Sequence, residues 1–229
     1  MEDMDNNFNF PVINKGAKCF RSLSAEELSE LIKHKSQLHY SKGDILLKQG
    51  AFSSGIMFVL DGYVKEFIEG PNSKKTSLRA VGPGDFLALS TLFNSETTPY
   101  SIAAITDVTI CLFEKEYILH LIKTNSKVGY QLVQRYSAME QNFFTLLNNQ
   151  LYKQMHGKVA GSLLYLSDFD NGDLFDSLTR KDLAEFSSIT AENLIRVLKS
   201  FEADGYVELK DKSIRILKPD ALRKIYELG

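Results

Sequence analysis

The sequence predicts an α+β protein in two units: a β-roll continued by one long helix, then a smaller helical unit that ends in a β-hairpin. Three observations predict it. From about Leu38 to Glu114, short apolar runs alternate with Gly43, Gly50, Gly55, Gly62, Gly70, Gly82 and Gly84, as in units built from many short strands. From Ser126 onward, apolar side chains recur at three- and four-residue steps. Beyond Gly157, two capped amphipathic segments precede two short alternating strands. The expected division is residues 1–152 for the roll and its helix (about 126–152), and residues 153–229 for the second unit.

Each element has its own signal. The opening residues, rich in Asn and Asp, read as a loose arm. Ser24 and Glu27 form a capping box for a short helix, whose apolar stripe is Leu23, Leu28, Leu31 and Ile32. Ile56–Leu60 and Val108–Phe113 read as strands, and Asp61-Gly62 reads as a hairpin turn. Helical texture returns at Glu116 and breaks near Thr124, where Asn125 or Ser126 can cap the long helix. Val128, Leu132, Tyr136, Met139, Phe143 and Leu146 then follow the spacing of a coiled-coil seam. A helix packed on its own unit shows the same periodicity and is far more common; a length of about seven turns strengthens the case for self-pairing. Gly157 marks a joint. The second unit then reads as a helix from Val159 to Leu166, an acidic loop from Asp168 to Asp176, two helices and a hairpin.

Composition narrows the setting. Lys and Arg number 27 against 29 Asp and Glu, a net charge of −2, which argues against a general nucleic-acid coat. A local DNA-reading face stays open, because steering follows local potential. The two cysteines, Cys19 and Cys111, make neither a disulfide framework nor a zinc knuckle, which fits a reducing compartment. The start of the chain lacks the charged and apolar regions of a signal peptide, and no run reaches the roughly 20 apolar residues of a membrane span. The expectation is a cytoplasmic protein without a membrane partner.

The stretch from Leu178 to Glu202 carries the functional signal. Thr179 and Asp182 start a first helix with a capping-box-like pair, on which Leu183 and Phe186 are apolar at helical spacing. Ala184 is small where two crossed helices must approach, and Ser188 sits at the turn. Thr190 caps a second helix with Leu194, Val197, Leu198 and Phe201 on its inner face. Two short helices across a tight turn make a helix-turn-helix. Its outer face holds Ala191, Glu192, Asn193, Arg196 and Lys199. Arg can fork to guanine and Glu can accept from cytosine; the plainer reading of Glu192 and Arg196 is an i,i+4 ion pair. Tyr206–Leu209 and Ser213–Leu217 then alternate around Lys210-Asp211-Lys212, a basic-tipped wing, which favours DNA reading. Arg180, Lys199, Lys210 and Lys212 are the candidate phosphate contacts.

In order and spacing, these pieces resemble the Crp/Fnr family of bacterial transcription regulators over nearly the whole chain. The matching turns are Tyr40-x-x-Gly43-Asp44-Ile45, Gln49-Gly50, Phe58 through Asp61-Gly62 to Lys65, and Gly82-Pro83-Gly84-Asp85-Phe86; the matching helices are Leu178–Ala184 and Thr190–Leu198. The resemblance implies a roll of the cyclic-nucleotide-binding jelly-roll type and a winged helix-turn-helix. It implies no enzyme activity, a homodimer paired along the long helix, and double-stranded DNA and RNA polymerase as partners. Glu192 and Arg196 match base-reading positions, and Thr190 and Arg180 match phosphate-contacting ones. Ala191 stands where the cyclic-AMP receptor has a base-reading Arg, as in Fnr-like branches.

The departures concern the effector. In cyclic-nucleotide members, a Gly-Glu follows the Gly-Asp-Phe turn and its Glu holds the ribose; here Leu87-Ala88 follows. Those members carry an Arg for the cyclic phosphate where this chain reads Thr97-Thr98-Pro99-Tyr100-Ser101. A buried phosphate without a charge partner is costly. Polar residues that face adenine in the cyclic-AMP receptor correspond to Phe143 and Phe144, so no cyclic AMP is expected. Only Cys19 lies where the oxygen-sensing branch has a cysteine cluster, so no iron–sulfur cluster is expected. His34, His39, His120 and His156 are scattered and read as surface or interface residues, with haem left open. What remains is an apolar pocket of Phe86, Leu87, Leu89, Tyr100, Phe143 and Phe144, either a site for a small apolar or haem-type ligand or a filled core. The rival readings are a cyclic-nucleotide-responsive regulator, a stand-alone cyclic-nucleotide module, an effector-free roll acting through protein partners, and a cupin-like enzyme. A cupin-like enzyme would need clustered His and carboxylate ligands.

Overall fold

The computed structural model describes residues 20, 22–93, 97–169, 173–211 and 213–229. Cys19 and Lys212 lie outside the described residues. Helix α1 (Ala25–Lys33) opens with the expected capping box: the Glu27 N–H donates to Ser24 Oγ at 3.2 Å, and the Ser24 N–H donates to Glu27 Oε2 at 2.8 Å. Eight strands follow in two four-stranded antiparallel sheets. Strands β1 (Lys35–Tyr40), β3 (Gly55–Asp61), β6 (Phe86–Leu87) and β8 (Val108–Glu114) form one sheet, in the order β1-β8-β3-β6. Strands β2 (Ile45–Leu47), β4 (Val64–Glu69), β5 (Lys75–Val81) and β7 (Ser101–Ala104) form the other, in the order β2-β7-β4-β5.

This topology corrects the expected hairpin at Asp61-Gly62. Strands β3 and β4 belong to different sheets, so the dipeptide is the corner where the chain crosses between them. Gly62 has φ +81°, while Asp61 is not among the positive-φ residues that a type I′ turn would require. A Cβ at Gly62 would run into the carbonyl oxygen of Asp107, so the corner needs glycine both for its backbone angle and for space.

The roll continues into α2 (Lys115–Thr124) and α3 (Ser126–Tyr152). Asn125 separates them, and its Oδ1 accepts the N–H groups of Lys127 and Val128 at 3.2 and 3.4 Å. The next helix, α4, runs Met155–Asp168, so the joint is Lys153-Gln154 and Gly157 lies inside the first turn of α4. Gly157 serves packing: a Cβ there would approach the end of the last helix, 2.8 Å from the Gly229 carbonyl carbon.

The second unit continues with α5 (Asp173–Ser177), α6 (Arg180–Ser187), α7 (Ala191–Ala203), strands β9 (Val207–Lys210) and β10 (Ser213–Ile216), and α8 (Pro219–Leu228). Its core gathers Val159, Leu163, Leu183, Phe186, Leu194 and Phe201. Residues 170–172 of the expected acidic loop lie outside the described residues, and the loop's end is the short α5. Helix α8 was not anticipated; Pro219 starts it, Leu222 is buried, and Ile225 and Tyr226 pack on the core. Among the described residues, no helix is long and apolar enough to cross a membrane.

Candidate nucleic-acid interface

Helices α6 and α7 are set by their caps. The Asp182 N–H donates to Thr179 Oγ1 at 3.1 Å, and the Thr179 N–H returns a bond to Asp182 Oδ2 at 2.8 Å. Ser188 ends α6 in the left-handed conformation, φ +52°, and Thr190 Oγ1 accepts the Asn193 N–H at 3.2 Å to start α7. Leu194, Val197, Leu198 and Phe201 are buried, which turns the other face of α7 to solvent. On that face Ala191, Glu192, Arg196 and Lys199 are exposed, while Asn193 is half-buried. Arg196 Nη2 lies 3.2 Å from Glu192 Oε1, with side-chain exposures of 69% and 85%. An ion pair this exposed contributes about 0–1 kcal/mol, so both groups can exchange it for a base edge at little cost.

The strands β9 and β10 pair antiparallel with Ser213 opposite Lys210, and Asp211 takes φ +49° at the tip. Lys210 is exposed, its Nζ 3.7 Å from Glu208. Arg180 is half-buried. Its Nη2 donates at 3.5 Å to the carbonyls of Asp211 and Ser213, and its Nη1 is buried without a partner among the described residues. Burial lowers the guanidinium pKa. Arg180 therefore braces the wing, and a phosphate contact would have to replace those two long bonds.

The expected effector pocket is not assembled. Phe86 and Leu89 pack in one roll core with Phe20 and Phe58, whereas Leu87 and Tyr100 pack in another with Val59 and Ile102. Phe143 and Phe144 are 52% and 59% exposed, because α3 turns them away from the roll. A groove of about 520 Å³ does lie between roll and α3, lined by Leu89, Leu92, Phe93, Leu132, Val133 and Tyr136 among others; of the six expected residues only Leu89 lines it. The roll interior instead holds a buried ion pair. Arg79 Nε and Nη2 donate to Glu66 at 2.6 and 2.9 Å, and Nη2 also reaches the Phe86 carbonyl at 3.0 Å. Burial raises the Glu66 carboxyl above its usual range despite Arg79, and burial likewise raises the Tyr100 hydroxyl beside it. Asp85 links this pair to the long helix, accepting from Arg135 Nε at 2.7 Å.

The expected seam on α3 is also partly redirected. Val128 and Leu132 are buried in the roll's own core and Met139 packs against it. Leu146 lines a cleft between the two units. Tyr136 and Phe143 stay exposed, and the uncovered stripe continues through Val133, Phe144, Leu147 and Leu151. The reason is the helix surface: its 3.6-residue period serves two faces, and the roll takes one of them.

Of the remaining candidates, His34 pairs with Glu114 at 2.8 Å, His39 contacts Thr109 at 3.1 Å, and the His156 ring meets Phe201 edge-on. His120 lies against Tyr117. Among the described residues, no group of three or more His, Cys, Asp or Glu could hold a metal ion. Cys111 is buried and its thiol is pushed up to about 12 by burial. Sequence reasoning missed Lys65, Glu66, Arg79 and Arg135. The sequence signal for the first two is Lys65-Glu66 between the apolar residues Val64, Phe67 and Ile68; Arg79 and Arg135 lie on other elements.

A family model for the cyclic nucleotide-binding domain matches residues 37–125, and one for the Crp-like helix-turn-helix domain matches residues 157–225. The Cyclic AMP receptor protein of Thermus thermophilus is 23% identical over 211 residues, covering 92% of this chain and 97% of its own. The Transcriptional activator protein FnrL of Cereibacter sphaeroides is 23% identical over 230 residues, covering 95% and 90%. The solved structure of FixK2 from Bradyrhizobium japonicum shares the fold with a TM-score of 0.76 at 15% identity, over 83% of this chain and 96% of that one. With a roll and a helix-turn-helix matched in chain order, and with full-length regulators as relatives, the chain belongs to the Crp/Fnr family and is a transcription regulator with a helix-turn-helix DNA-binding domain, not an enzyme.

Proposed function

We propose that the protein is a homodimer that reads an inverted-repeat operator with its two α7 helices and answers to an effector other than a cyclic nucleotide. The observation that carries the reading is the solvent face of α7, where Glu192 and Arg196 stand exposed and paired with each other. In this reading they contact base edges, with Ala191 and Asn193 beside them, while Thr190, Lys199, Lys210, Lys212 and, once released from the wing, Arg180 serve the phosphates. The uncovered stripe Val133, Tyr136, Phe144, Leu147 and Leu151 supports pairing along α3. Two recognition helices would then enter successive major grooves about 34 Å apart. The two units, 1–152 and 153–229, would turn about Lys153-Gln154, and RNA polymerase is the further protein partner.

The filled roll interior supports an effector that is not a cyclic nucleotide. The Arg79 guanidinium is occupied by Glu66 and the Phe86 carbonyl, and Leu87, Ala88 and Leu89 are buried. Cyclic AMP at millimolar concentration is therefore expected to leave the melting temperature unchanged; a rise would restore the cyclic-nucleotide reading. Selection from random duplex DNA followed by sequencing tests the rest. An inverted repeat with G·C pairs in each half-site is expected, and Arg196→Ala weakens its binding by about 1–3 kcal/mol while relaxing one base position. Enrichment of single, unpaired half-sites would refute the dimer. So would a sedimentation coefficient that Leu147→Glu leaves unaltered.

A further inference from the structure

We infer that Lys65, a residue of the sensor roll, is a positioning residue for DNA reading, because it fixes helix α6 and through it the recognition helix α7. Lys65 Nζ lies 2.5 Å from Asp182 Oδ1 and 2.5 Å from Glu185 Oε2, on the first helix of the helix-turn-helix. All three side chains are largely buried, with exposures of 10%, 19% and 8%. Asp182 divides its two oxygens: one takes Lys65, the other closes the cap at Thr179. The contact thus grips α6 through Asp182 in its first turn, the turn from which Arg180 braces the wing, and through Glu185 in its second.

The other side of α6 presents Leu183 and Ala184 to the core that α7 shares. An eight-residue helix is a rigid rod of about 12 Å. Fixing one face of such a rod fixes the angle of the helix packed on the other. Two further roll contacts fall on the same unit: Lys42 Nζ donates to the Ser177 carbonyl at 2.6 Å, and the Ala80 N–H donates to the Tyr165 hydroxyl at 3.1 Å. Ala80 and Ile105 of the roll are buried in the core of the second unit. Holding a reading head in place beforehand removes ordering cost from the binding step.

The inference rests on the reading of α7 as the recognition helix, and the full-length protein tests both separately. Operator binding is measured by fluorescence anisotropy on the full inverted repeat and on a single half-site. Wild type is compared with Lys65→Met, Lys65→Arg and Glu185→Gln. Lys65→Met is expected to raise Kd for the full repeat about 5-fold or more, the scale of coupling between distant sites. The half-site should move less, since head-to-head placement matters only for two heads; misfolding would weaken both equally. Glu185→Gln should act in the same direction, and Lys65→Arg should restore binding. An unchanged or lower Kd in Lys65→Met would overturn the inference, as would equal losses on both duplexes, failure of Arg to rescue, or a silent Glu185→Gln. A wild-type protein that selects no duplex would refute the DNA reading itself, and this inference with it.

Discussion

Lys65 and Glu66 stand side by side on β4, and each is buried among opposite charges, yet they serve different parts of the molecule. Glu66 points into the roll, where Arg79 holds it with two bonds. Lys65 points out of the roll, where Asp182 and Glu185 of the DNA-binding unit hold it. The alternation of a β-strand puts neighbours on opposite faces, so one step along the chain separates an internal contact from an inter-unit one. The physical difference is escape. Glu66 and Arg79 can reach water only if the roll unfolds, whereas Lys65 and its partners regain water when two folded units part. A buried pair that cannot escape ties its charges to global stability; one that can escape ties them to orientation.

The largest expected effect breaks the inner pair. Arg79→Met leaves the Glu66 carboxylate buried without its partner and should lower stability by about 3–5 kcal/mol, read by urea unfolding. Adding Glu66→Leu should recover most of that loss, because apolar groups of similar volume often replace a buried pair without net cost. If the double variant is as unstable as the single one, the loss comes from packing and not from charge.

The outer cluster should behave otherwise. Lys65→Met leaves two carboxylates that can hydrate by undocking, so its cost is that of exposed groups, about 1 kcal/mol or less. Faster amide exchange should then be confined to β4, β5 and α6. A drop as large as that of Arg79→Met would erase the distinction between the two clusters.

The smallest effect is in pH. Burial tends to raise the Asp182 carboxyl, but Lys65 and Thr179 together hold it below its usual value. A depressed carboxylate stabilises the folded state above its unfolded value, and that contribution is lost as pH falls through the lower folded value. The inter-unit contact should therefore hold from neutral pH down to about 3.9 and loosen below it. Loosening already near pH 6, seen as faster exchange in α6, would contradict this assignment.

The sequence was legible wherever local chemistry sets local structure. Ser24 with Glu27, and Thr179 with Asp182, are capping boxes that need only three residues of context, and both form. Asn125 likewise marks the break before α3. The solvent face of α7 was legible because the inner stripe Leu194, Val197, Leu198 and Phe201 leaves Glu192 and Arg196 on the other side. Failures came where two distant segments compete for one surface. The Asp61-Gly62 turn has the composition of a hairpin, but which sheet β4 joins is settled by pairing with β5 and β7. Phe143 and Phe144 have the composition of a pocket wall, but the rotation of α3 puts them outside.

What the sequence by itself determined is the order of elements, their caps and the chemistry offered by α7, because helix capping, strand alternation and turn preference act over a few residues. Only the tertiary structure decided which face of α3 the roll covers, what fills the roll interior, and that a lysine of the roll holds the first helix of the reading head. Those outcomes depend on residues more than a hundred positions apart in the case of Lys65 and its partners. No local pattern encodes such a distance; it is set when two folded surfaces meet and their buried charges must be matched.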